Sequence, residues 1–116
     1  MAKAAVGLVL GVAIALPAAA AGETRTCKLG SQARKLGPSY VTSLKVGGAS
    51  CLSGKRLVRA YYRCRVANGG LDGRCRSVVR GYTCTEKRTG ISIQFDAEVT
   101  CRKGSARVVH TYTQNT

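Results

Sequence analysis

Residues 91–114, ISIQFDAEVTCRKGSARVVHTYTQ, alternate apolar and polar side chains twice, with a glycine-containing turn between the two runs. In the first run Ile91, Ile93, Phe95, Ala97, Val99 and Cys101 fall on one side of an extended chain. Ser92, Gln94, Asp96, Glu98, Thr100 and Arg102 fall on the other. A period of two marks a strand with one buried face. Arg102-Lys103-Gly104-Ser105 reads as the turn, and Ala106, Val108, His110 and Tyr112 restore the apolar face on the return. Matching the two apolar faces sets Cys101 opposite Ala106, Ala97 opposite His110 and Glu98 opposite Val109. The end of the chain is therefore predicted to be an antiparallel hairpin with one face in a core.

Upstream, SVVRGYTCTE (77–86) is rich in β-formers and adds a third strand. SYVTSLKV (39–46) alternates Tyr40, Thr42, Leu44 and Val46 against Val41, Ser43 and Lys45, and adds a fourth, ended by Gly47-Gly48. Between these two the period changes. Leu57, Ala60, Tyr61 and Cys64 follow helical spacing, and Cys51, Gly54 and Val58 widen the same stripe. Ser50 is placed to cap a helix beginning at Cys51. Asn68-Gly69-Gly70 ends it after about Val66. Gly54 lets another element approach closely. The predicted fold is α+β: one helix packed on an antiparallel sheet of about four strands.

The chain opens MAKAAVGLVLGVAIALPAAAAG. Lys3, an apolar run over residues 4–16, Pro17 and small residues before Gly22 have the form of a secretory signal. The apolar run is short of the roughly 20 residues a membrane span needs. The expected organisation is a signal peptide over 1–21, an irregular N-terminal arm over 22–38, and a small domain over 39–116. The product is expected to be secreted or extracellular, with no membrane span after cleavage. Cleavage after Ala21 removes one of the 19 Lys and Arg and none of the 5 Asp and Glu, so the net charge of +14 falls by one.

All 6 cysteines follow that segment: Cys27, Cys51, Cys64, Cys75, Cys84 and Cys101. An even number in a short exported chain points to three disulfides stapling a small core. Six cysteines permit about 15 pairings. Cys64 with Cys75 would close a short loop and hold the helix end. Cys51 with Cys101, and Cys27 with Cys84, complete the expected set. A Cys-x-x-Cys pair is absent, so zinc-ligand spacing is not met. No metal or cofactor is expected.

SCLSGKRLVRAYYRC, GRCRSVVRGYTC and VTCRKGSARVVHTYTQ together resemble a small secreted disulfide-bonded domain of high-GC Gram-positive bacteria. The shared pattern is a cysteine opening a helix, a Gly-aromatic-x-Cys strand and a Cys-x-x-Gly turn. Here these are Cys51, then Gly81 to Cys84, then Cys101 to Gly104. The resemblance spans about residues 50–113. It implies an exported, disulfide-bonded α+β domain, and it brings no catalytic residues with it.

Two functional classes remain. A small secreted ribonuclease would need a general base, a general acid and a cation for the phosphoryl oxygens. Glu98, His110 and Arg107 are the residues available for it. The strand pattern sends Glu98 and His110 to opposite faces, which argues against that chemistry. One histidine excludes a two-histidine mechanism, and neither a G-x-S-x-G elbow nor a P-loop occurs. The second class, a non-catalytic interaction module preferring anionic surfaces, rests on the charge. Lys55, Arg56, Arg59, Arg63 and Arg65 on the helix are its candidate contacts, read as a broad patch. Its partners would be an anionic cell-wall polymer, anionic lipid, nucleic acid or an acidic protein.

Overall fold

The computed structural model describes residues 23–116, together with Gly7 and Gly11; the expected signal peptide lies outside the described residues. Five strands form one antiparallel sheet: β1 (Arg25–Thr26), β2 (Tyr40–Gly47), β3 (Thr83–Ile91), β4 (Gln94–Lys103) and β5 (Ala106–Asn115). Their order across the sheet is β1-β2-β5-β4-β3. Helix α1 (Cys51–Ala67) follows β2 and covers one face. One helix on an antiparallel sheet, held by three disulfides, is the architecture the sequence predicts.

Helix α1 begins where Ser50 accepts a hydrogen bond from the Ser53 N–H at 3.0 Å. It ends where the Asn68 side-chain amide donates to the Cys64 carbonyl at 2.7 Å. Gly54, Leu57, Val58, Tyr61 and Arg65 form its buried stripe. Gly54 sets the helix close to the sheet: a Cβ there would lie 2.7 Å from Val46 Cγ1. Opposite the stripe, Val41, Leu44, Val46, Phe95, Ala97, Val99, Val108 and Tyr112 form the sheet side of the core.

Strand β2 does not keep the simple alternation expected of it. Val41 pairs with Tyr112 and Ser43 with Thr111, so Thr42 is an extra residue in the ladder. The bulge reverses the parity, and Val41, Leu44 and Val46 all reach the core. In the terminal hairpin the register differs from the expected one by two residues. Cys101 faces Val108, Ala97 faces Tyr112, and Val99 faces His110. The turn is only Gly104-Ser105, with Gly104 at φ +57°, so Lys103 and Ala106 already pair. A two-residue slip preserves which face each side chain occupies. Glu98 and His110 therefore do lie on opposite faces.

The third strand lies later than predicted. Val79 and Tyr82 bond each other across a tight reversal, with Arg80 at φ +50° and Gly81 at φ +81°. The strand proper, Thr83–Ile91, runs past the predicted end at Glu86 and carries Glu86, Lys87 and Arg88. Charged side chains suit it, because β3 is an edge strand. Ile91 and Ile93, expected in the core, are 64% and 62% exposed, because the β3–β4 turn falls at Ser92-Ile93.

The bridges are Cys27–Cys51, Cys64–Cys75 and Cys84–Cys101. The short-loop pairing is as expected; Cys51–Cys101 and Cys27–Cys84 are not formed. The register explains the difference: Cys84 and Cys101 are direct partners across β3 and β4, with Cα atoms 4.0 Å apart. Cys27 then meets Cys51 at the helix start. The segment before β2 contributes to the same core. Its strand β1 pairs with β2, the Cys27 N–H donates to the Leu44 carbonyl at 2.8 Å, and Leu36 is fully buried.

Candidate anion-binding surface

The outward side of α1 carries Leu52, Arg56, Arg59, Arg63 and Val66, spaced alternately by four and three residues. That spacing keeps all five within one stripe. The three arginines are exposed; Leu52 and Val66, 59% and 37% exposed, bracket them. Arg56 and Arg63 are seven residues apart, about 10 Å along the axis at 1.5 Å per residue. Helix α1 contains no Asp or Glu. Among the described residues, every salt bridge uses Glu86, and none involves this row. Like charges at these spacings repel by a few tenths of a kcal/mol per pair. Nothing in the described structure relieves that repulsion, and a bound anion would.

The broad patch expected on the helix is thus a narrow row of three. Lys55 is half-buried at its flank. Arg65 does not belong to the surface at all: it is fully buried. Its position eight residues after Leu57 and four after Tyr61 places it on the buried stripe. There its guanidinium donates to the Leu71 carbonyl at 2.8 Å and to Gln114 Oε1 at 2.9 Å. It also lies 4.4 Å from the Tyr112 ring centroid. Burial pulls its pKa below the usual guanidinium value, while Tyr112 and Glu86 pull it back.

Glu86 is the counter-charge of this interior web. Tyr61 donates to its Oε1 at 3.0 Å and Tyr112 at 2.5 Å, while Arg88 Nε bonds its Oε2. Both tyrosine hydroxyls are pushed well above their ordinary pKa, first by burial and then by Glu86. The Arg88 fork also reaches the carbonyls of Asp72 and Gly73. These contacts tie the helix end, the loop at 70–73 and β3 together, while the buried Arg65 Nε has no hydrogen-bond partner among the described residues. Sequence periodicity alone does not reveal this web, since its members come from four separate segments.

Compared with known proteins, the chain matches no family model, no curated protein and no solved structure.

Glu98, Arg107 and His110 do not form one site. Glu98 and Arg107 line the open face of the sheet. His110 points under the helix, fully buried, with neither ring nitrogen hydrogen-bonded. Tyr61 meets it edge-on at 5.6 Å, and Tyr112 stacks on it at 5.8 Å. Full burial, aided by the Arg65 charge, lowers its pKa to about 3. His110 is thus a neutral core side chain. Among the described residues, no group of three or more His, Cys, Asp or Glu is placed to hold a metal.

A pH dependence follows from His110. Its folded pKa lies below the ordinary 6.5, so between about pH 3 and 6.5 the unfolded chain binds the extra proton. Stability is full above that window and falls as the pH drops through it. Between pH 7 and pH 5 the expected loss is about 2 kcal/mol. Urea unfolding of wild type and His110→Leu at both pH values measures it. The variant should lose that part of the dependence; an unchanged difference would place its origin in another group.

Proposed function

We propose that the protein is a secreted, non-catalytic interaction module that binds an anionic polymer through Arg56, Arg59 and Arg63. The observation that carries the reading is the row itself: three exposed guanidiniums on one helix face, with no carboxylate within salt-bridge range among the described residues. Guanidinium groups form forked hydrogen bonds to phosphate and carboxylate. A repeat of about 5 Å over about 10 Å suits closely spaced charges on a chain better than one small ligand. Leu52 and Val66 offer apolar contact at either end of the row. Secretion is supported by the apolar start of the chain and by three bridges, which persist in oxidising compartments.

Binding to RNA, polyphosphate, an anionic wall polymer and anionic vesicles, measured as salt is raised, tests the proposal. Three released counterions give a log–log slope near −2 for a single-stranded polymer, or binding weaker by roughly 16- to 18-fold between about 50 and 200 mM salt. Arg59→Glu with Arg63→Glu should weaken binding by tenfold or more, whereas Lys28→Glu should change it less than twofold. Binding that ignores salt, or that survives the double reversal, would remove the row as the contact. The member of the panel bound most tightly names the polymer.

A further inference from the structure

The sheet face opposite the helix carries a second arrangement of charge. Arg102 on β4 and Arg107 on β5 are direct register partners with side chains on the same side. Like charges placed directly opposite each other destabilise a strand pair. One residue pair further along the β3–β4 ladder on this face, Thr85 faces Thr100, and beyond it Lys87 faces Glu98. These six residues line one concavity of about 400 Å³. Arg107 is half-buried, and its Nε is enclosed without a hydrogen-bond partner. A buried guanidinium N–H left unpaired is costly. Neither arginine, nor Lys87, has a carboxylate within salt-bridge distance among the described residues.

We infer that this concavity is a site for a single protonated phosphate group, as hydrogen phosphate or a phosphomonoester. The two guanidiniums and Lys87 supply the charge, and an oxyanion between them relieves their repulsion. Thr85 and Thr100 supply hydroxyl donors on the floor. Glu98 sets the selectivity. An ionised carboxylate only accepts hydrogen bonds. It repels a fully deprotonated oxyanion such as sulfate but accepts from a P–OH. The site thus distinguishes a phosphate that keeps a proton near neutral pH from sulfate and from the diester links of a polymer. It lies on the other side of the sheet from the Arg56–Arg63 row, so the two ligands do not compete for the same side chains.

The test is an NMR titration of the disulfide-intact domain with inorganic phosphate and with methyl phosphate at pH 6.5. Sulfate and chloride at matched ionic strength are the comparisons. Phosphate should give saturable shifts centred on Thr85, Thr100, Arg102 and Arg107, with sulfate at least fivefold weaker. Methyl phosphate should match phosphate if the source is an ester. Arg107→Gln and, separately, Arg102→Gln should weaken phosphate at least fivefold, with the remaining resonances reporting that each variant folds. Glu98→Gln should bring sulfate level with phosphate. Arg59→Glu with Arg63→Glu should leave the titration unchanged. Shifts that fail to saturate, or that spread over all basic residues, would overturn the site. Equal binding of sulfate and phosphate by the wild type would overturn the role given to Glu98.

Discussion

Full reduction of the three disulfides should abolish the cooperative fold at 37 °C. The loops closed by Cys27–Cys51, Cys64–Cys75 and Cys84–Cys101 span 24, 11 and 17 residues. Loop-closure entropy assigns each bridge about 3 kcal/mol. The loops follow one another along the chain and never overlap, so their effects on the unfolded chain are close to additive. Their sum, about 9 kcal/mol, is comparable with the whole stability of a domain this size, about 5–15 kcal/mol. Thermal unfolding followed by circular dichroism, before and after reduction and alkylation, measures it. A reduced protein that still melts cooperatively within a few degrees of the oxidised one would contradict it. Peptide mapping of the oxidised form should recover Cys27 with Cys51, and Cys84 with Cys101.

Replacing Arg65 should cost more than replacing any arginine on the outer helix face. Arg65→Ala leaves Gln114 Oε1 and the Leu71 carbonyl without their donor and takes the cation from above the Tyr112 ring. It also removes one of the positive charges near buried Glu86. Breaking one partner out of a buried charge network costs about 3–5 kcal/mol. Arg59→Ala, on the exposed face, should change stability by less than about 0.5 kcal/mol. Arg65→Met keeps the length of the apolar stem and should recover part of the packing but not the polar partners. Urea midpoints for the three variants decide the matter. Equal losses at Arg65 and Arg59 would mean that the buried contacts contribute nothing.

Helix α1 shows where reading the sequence stops. Leu57, Tyr61 and the cap at Ser50 are legible because helical period and capping chemistry are local. So are the alternating faces of β4 and β5, and with them the separation of Glu98 from His110. Arg65 obeys the same helical period as Tyr61, yet a charge on that stripe reads as surface. Only Gln114, Leu71 and Tyr112, brought in from elsewhere in the chain, make its burial tolerable. Its removal from the surface is also what narrows the patch to the row Arg56, Arg59 and Arg63.

The strands β4 and β5 were likewise legible in the sequence, while strand register was not. A two-residue slip of the terminal hairpin leaves every side chain on its own face, so alternation cannot detect it; the tight Gly104-Ser105 turn decides it. The bulge at Thr42 and the β3–β4 register belong to the same class. That last register alone places Cys84 beside Cys101, and so fixes which cysteines remain for Cys51 and Cys27. The sequence by itself determined a cationic, six-cysteine α+β domain with one helix on a sheet. Tertiary structure decided the disulfide pairing, the buried arginine and the meeting of Arg102 with Arg107, because each depends on contacts between segments that local periodicity does not encode.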